Sequence, residues 1–97
     1  MSLNDAQRRA TASEFARNLE LAGLTRDELR ERCGLTPSSF ALAMDVRPGC
    51  DPVDVWLIRD TLETAVKEAG GTPVPFSAMP ERMRAAAGRW FGVTDRR

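Results

Sequence analysis

The stretch GLTRDELRERCGLTPSSFALAM, residues 23–44, has the pattern of two short helices joined by a glycine. Thr25 and Glu28 have the spacing of a capping box at the start of the first helix. Thr36 is a typical N-cap residue for the second. Gly34 lies between the two helices and suits the left-handed conformation that ends a helix. We therefore expect a helix-turn-helix, the motif whose second helix enters the major groove of DNA.

Helical signals continue on both sides of this stretch. Asn4 and Gln7 form another capping box, and a long helix is expected from Asp51 to Gly70. Residues of its predicted core face recur at helical spacing: Val55, Ile58, Leu62, Ala65 and Ala69. Trp56 and Val53 fall outside that face, so we expect an exposed apolar pair that the chain's tail or a second subunit covers.

The C-terminal part begins with an extended segment. Residues 72–80, TPVPFSAMP, disfavour a helix because each proline forces the residue before it into extended geometry. Phe76 is its expected anchor, and a last helix is expected from Pro80 to Gly92. We predict a helical domain over residues 1–71, with a Pro-rich strap and a short C-terminal helix over 72–97 packed on it.

Composition limits the class of protein. The chain has 97 residues, equal numbers of basic and acidic side chains, and 42% hydrophobic residues, which fits one globular domain. Neither a membrane-spanning run nor a secretion signal is apparent, so we expect a cytoplasmic protein. Charge is uneven, with a balance of −3 over residues 35–70 and +3 over residues 71–97. Only the tail has the basic excess that is usual in nucleic-acid binders.

Seven residues are candidates for contacting DNA. Hydroxyl groups at the start of the second motif helix suit a phosphate, Leu42 suits a thymine methyl, and arginines flank them. The candidates are Arg26, Arg30, Thr36, Ser38, Ser39, Leu42 and Arg47. Against this reading, the helix lacks the Arg, Lys, Asn or Gln side chains that read bases, and Asp45 would repel a phosphate. A solvated face on which Arg26 and Arg30 pair with nearby acidic residues remains the alternative.

Catalysis is not expected. The chain has no histidine, the most common general base. Cys33 is expected to be buried and inert, whereas Cys50 is expected in an exposed turn where the next helix N-terminus could lower its pKa. Asp51 and Asp54 are typical helix-start residues, and two carboxylates are too few for a metal site. We expect no enzyme activity, no cofactor and no metal.

Several motifs resemble a small bacterial family of single-domain proteins of unknown function. They are the opening MSLN, the N-L-x-x-x-G-L of residues 18–24, TRDELRERCGLTP, the W-x-x-R of Trp56 and Arg59, and the P-x-P-F-S-A of residues 73–78. RWF at residues 89–91 is similar to that family's aromatic tail, but MPERMRAAAG before it departs from the pattern. The resemblance implies a helix-turn-helix core similar to phage-repressor domains. The expected fold is therefore all-α, with about five helices and a lambda-repressor-like core.

Two functions follow from these observations. The first is a DNA-binding, transcription-regulator-like protein, expected to be a homodimer because one module with so few base-reading groups needs a second half-site. The second is a protein-interaction or homodimerisation module on the same scaffold that does not bind DNA. Arginine and aromatic residues favour buried interface centres. The candidate interface residues are Trp56, Arg59, Phe76, Trp90 and Phe91.

Overall fold

Four α-helices make up most of the residues that the computed structural model describes, residues 3–80. They are α1 (Asp5–Ala22), α2 (Arg26–Cys33), α3 (Pro37–Met44) and α4 (Pro52–Glu68). This part of the chain contains no strand, which confirms the all-α prediction. None of its helices is long and apolar enough to cross a bilayer. The helix predicted after Pro80 lies outside the described residues.

Local capping defines the helix ends as the sequence predicts. The side chain of Asn4 accepts from the Gln7 amide at 2.8 Å, and the Gln7 side chain accepts from the Asn4 amide at 2.9 Å. Thr25 and Glu28 form the same reciprocal pair at the start of α2. Gly34 ends α2 with φ +70°, a left-handed conformation that costs a residue with a side chain about 1–2 kcal/mol. These caps define where α2 begins and ends, so that α3 starts as a separate helix directly after it.

α4 is the central helix and packs against each of the other three. Side chains with no exposed surface form the core, among them Phe15 of α1, Leu29 of α2, and Ile58 and Leu62 of α4. The predicted core face of α4 is therefore confirmed, except at its last position. Ala69 is exposed because α4 ends at Glu68, which leaves Ala69 as the C-cap residue.

The extended segment of residues 72–80, which we call the strap, crosses α1 and α4. Fully buried Asn18 donates to the Val74 carbonyl at 3.1 Å and accepts from the Val74 amide at 2.8 Å. Phe76 is buried with its ring edge toward Phe15, at 6.0 Å between centroids. Phe76 is thus the anchor that the sequence predicts, and Asn18 fixes the strap through its backbone.

Trp56 is buried, which corrects the prediction of an exposed Trp–Val pair. Only 4% of Trp56 is exposed, against 38% of Val53. The guanidinium of Arg59 lies 5.4 Å from the Trp56 ring and 4.8 Å from the Phe76 ring, and its Nε donates to the Met79 carbonyl at 2.7 Å. α4 is therefore buried on the side of the strap as well as on its predicted core face. A prediction that assumes one buried face underestimates how much of this helix is buried.

Candidate functional site

The start of α3 is open to solvent. Thr36 and Ser38 are exposed, and Ser39 is half-buried. The Thr36 hydroxyl accepts from the Ser39 amide at 3.2 Å, and Pro37 has no amide proton. Of the first three residues of α3, Ser38 is therefore the one whose amide can serve an external anion. The hydroxyl groups of Thr36 and Ser38 lie beside it.

Arg26 extends along α3 from the first turn of α2. Its guanidinium lies 5.4 Å from the Phe40 ring and 3.7 Å from a carboxylate oxygen of Asp45. The side chains of Arg26 and Asp45 are each about half exposed, 50% and 53%. An ion pair this exposed contributes about 0–1 kcal/mol, so Arg26 can exchange Asp45 for another anion at low cost.

Arg30 has a structural role that the sequence did not indicate. Its Nη1 donates to the Leu35 carbonyl at 3.1 Å, across the turn that follows α2. The side chain is thereby drawn to the backbone between α2 and α3. Among the described residues, Arg26 pairs with Asp45 rather than with Glu28 or Glu31, and Arg30 forms no ion pair with Asp27.

Arg47 lies in the loop after α3 and shares a shallow groove with Arg8 and Arg9 of α1. Arg8 is held by Asp5 and by the Leu3 carbonyl. Arg9 and Arg47 are exposed, and within residues 3–80 neither forms an ion pair. Sequence reasoning missed Arg8 and Arg9, because no local pattern places the first half of α1 beside a loop almost 40 residues later.

Leu42, the seventh candidate, is 40% exposed on the outer side of α3. The predicted face therefore combines hydroxyl groups, one leucine and the Arg26 cation, with Arg47 in the loop beyond. α3 itself contains no Arg, Lys, Asn or Gln, so any bidentate contact to a base would have to come from Arg26 or Arg47 outside this helix. Such a surface can contact phosphates and thymine methyls.

The candidate interface residues occupy different environments. Trp56, Arg59 and Phe76 are buried within one chain. Arg59 also pairs with Asp60 at 2.9 Å and with Glu63 at 3.3 Å. These three residues thus join α4 to the strap. Trp90 and Phe91 lie outside the described residues.

Both thiols are half-buried, and neither is activated. Burial raises the pKa of Cys33 and the pKa of Cys50 above the ordinary value of 9.0. For Cys50 the nearby Arg8 charge works in the opposite direction but is outweighed. The expectation of an exposed Cys50 with a lowered pKa is therefore wrong, because desolvation exceeds the effect of nearby positive charge. Burial, reinforced by Asp51, also raises the pKa of Asp54.

The part of the chain that the structure describes contains no cluster of three or more His, Cys, Asp or Glu residues that could hold a metal ion.

Comparison with protein-family models then gives a match. The chain belongs to a family of uncharacterized proteins conserved in bacteria (DUF2316), whose family model matches residues 1–92. This agrees with the resemblance to a small bacterial family of unknown function. No curated protein and no solved structure matches the chain.

Proposed function

We propose that this protein binds double-stranded DNA through α3 and acts in transcription regulation. In this proposal α2, Gly34 and α3 form a helix-turn-helix of the lambda-repressor type, and α3 enters the major groove. The observation that supports it most directly is the position of Arg26, which carries a half-exposed cation along α3 and is held by one weak ion pair. A phosphate can replace Asp45 there without exposing any core residue.

Phosphate contacts would supply most of the affinity. Thr36, Ser38 and Ser39 would hold one phosphate at the start of α3, and Arg26 a second. Arg47, with Arg9 in the groove beside it, would follow the DNA backbone away from α3. Arg30 has a smaller part, since its guanidinium already serves the Leu35 carbonyl. Because one chain offers so few base-reading groups, we propose a homodimer on two half-sites.

Fluorescence anisotropy with labelled duplex DNA tests this proposal. Affinity should fall steeply between about 50 and about 200 mM salt, because each phosphate contact releases counterions. The double variant Arg26→Glu plus Arg47→Glu should reduce the affinity at least tenfold. It should also lower the slope of log affinity against log salt by about 0.9 for each lost contact. A charge-matched control is Arg17→Glu plus Arg32→Glu. Both of its positions are exposed on other faces, and it should retain most of the binding.

Asp45→Ala tests the proposal with a change in the opposite direction. It removes a negative charge from the proposed face and frees Arg26, so DNA affinity should rise several-fold. Stability should change by less than about 1 kcal/mol, because the pair is exposed. Glu20→Ala is the control for a general charge effect, because Glu20 is also acidic and exposed but lies on α1. If both acidic variants raise affinity equally, or if the arginine pairs behave alike, α3 is not the DNA-binding face.

A second function, a protein-interaction or homodimerisation module without DNA binding, is favoured by the same face. Ala41 and Leu42 are exposed on α3, and no base-reading side chain accompanies them. Because Trp56 belongs to the core, Leu42→Ser is the better test of this function. Light scattering after size-exclusion chromatography should then show a dimer that dissociates in Leu42→Ser but persists in Arg26→Glu plus Arg47→Glu. An unchanged oligomeric state in Leu42→Ser argues against this second function.

A further inference from the structure

We propose that a cavity between α1 and the loop after α3 binds a small molecule with an apolar body and one carboxylate. This loop cavity has a volume of about 140 Å³. The lining residues that would determine what it binds are Leu3, Arg8, Val46, Arg47, Cys50 and Val55. The loop cavity is distinct from the proposed DNA-binding surface on α3, although Arg47 borders both.

The inner wall of the loop cavity is apolar. Val46 and Val55 are each 3% exposed, and Leu3 packs against the same core cluster. Cys50 also packs against this cluster, and burial keeps its thiol protonated near neutral pH because its pKa is raised. A wall of aliphatic groups and a neutral thiol excludes a polar or charged group from the interior. The ligand must therefore present an apolar body to this wall.

The rim of the loop cavity is cationic. Arg8 donates to the Leu3 carbonyl at 2.6 Å and pairs with Asp5, so its guanidinium is held and its charge is balanced. Arg47 is exposed and forms no ion pair within the described part of the chain. Asp51 and Asp54 act on Cys50 from the same region, but Arg47 lines the cavity without an ion-pair partner among the described residues and can bind one anionic group there. Arg47 is also the kind of side chain that binds a carboxylate with two parallel hydrogen bonds.

The backbone of the loop supports a rigid site. Val46 has φ +49°, a left-handed conformation that is rare for a β-branched residue. Its amide donates to the Ala43 carbonyl at 3.1 Å, and the Arg47 amide donates to the Leu42 carbonyl at 2.9 Å. Such strain persists only where surrounding contacts hold the residue in place, and it clusters at ligand sites. In size the cavity resembles an engineered apolar cavity of about 150 Å³ that binds benzene. Benzoate is therefore a suitable probe.

Protection of Cys50 from alkylation reports binding at this site, and Cys33 on α2 serves as the internal control. At benzoate concentrations of about ten times Kd, Cys50 alkylation should slow by about tenfold while the Cys33 rate stays unchanged. Benzyl alcohol has the same ring without the charge, so its Kd should be at least about tenfold higher. Peptide mass spectrometry after timed exposure to iodoacetamide gives both rates in one experiment. Equal slowing at both cysteines, or no slowing with benzoate, would overturn the proposal.

Substitutions then test the rim. Arg47→Gln should raise the Kd for benzoate about tenfold and leave that for benzyl alcohol unchanged, because only the charged contact is lost. Arg17→Gln, an exposed arginine farther along α1, is the matched control and should change neither value. The chain's own first two residues are the competing occupant. If their removal speeds Cys50 alkylation and benzoate never protects the intact chain, they fill the cavity and the proposal is wrong.

A consequence for regulation rests on the proposed function. Arg47 would serve both the ligand carboxylate and a DNA phosphate, so benzoate should weaken DNA binding. Cys50 protection requires no DNA, which separates the two proposals. Protection without DNA binding supports the cavity alone. DNA binding without protection supports only the proposed function and rejects the cavity.

Discussion

Replacement of Asn18 by alanine should cost a large part of the stability, although Asn18 is polar and lies in a helix. Its side chain is fully buried and makes two hydrogen bonds to Val74 and one to the Glu14 carbonyl. Alanine would leave the Val74 amide and carbonyl without these partners, at about 1–3 kcal/mol for each unsatisfied group. Because the strap can admit some water, we expect a loss of about 3 kcal/mol. For a domain of this size that corresponds to a fall of roughly 12–24 °C in Tm.

Urea denaturation followed by circular dichroism measures this loss, and native-state hydrogen exchange shows where it occurs. The Val74 amide should lose its protection in Asn18→Ala, whereas amides in α4 should weaken only in step with global stability. Ser77→Ala is the control. It removes a 2.6 Å hydrogen bond from Ser77 to Glu14 at an exposed position and should cost less than about 1 kcal/mol. A loss below about 1 kcal/mol in Asn18→Ala would show that Asn18 does not hold the strap.

Three further outcomes can be checked by denaturation. Arg59→Met should lower the free energy of unfolding by about 2–4 kcal/mol, since Asp60 and Glu63 lose a buried partner and the Met79 carbonyl loses its donor. Urea melts of the variant test this. Gly34→Ala should cost about 1–2 kcal/mol, because the cost is that of the left-handed backbone alone: an added Cβ meets no atom within 4 Å. A much larger loss in guanidinium melts would contradict this. The raised pKa values of both thiols mean that the folded state holds their protons more tightly than the unfolded state. The free energy of unfolding should therefore fall as pH rises above about 9 through the raised pKa values, and less so in Cys33→Ala plus Cys50→Ser.

The helix ends could be predicted because their determinants are local. The capping boxes at Asn4 and Thr25 each join residues three positions apart, and Gly34 follows directly from the need for a left-handed residue. The buried face of α4 follows equally from its period of 3.6 residues. Short-range geometry was therefore enough to define α1 to α4, whereas the packing of the three other helices around α4 comes from the structure.

Contacts distant in sequence could not be predicted in the same way. Asn18 and Val74 are 56 positions apart, and nothing in either neighbourhood indicates the other. Trp56 is buried beside Arg59, which also contacts the strap residue Phe76, and a single-face pattern cannot anticipate burial on this second side of α4. Val46 has a left-handed backbone that its residue type disfavours, so only its surroundings explain it.

The distribution of burial decides which substitutions can distinguish the proposed functions. Arg26, Ser38 and Arg47 are exposed, so their replacement removes no core atom and should change stability by about 1 kcal/mol or less, most at Arg26, which pairs with Asp45. A loss of DNA binding in those variants therefore reports a lost contact rather than a lost fold. Trp56 and Phe76 pack in the core, and their replacement by alanine would weaken any function because it costs about 3–5 kcal/mol of stability. The surface arginines on α2 and in the loop, and not the aromatic residues under the strap, separate a DNA-binding protein from an interaction module.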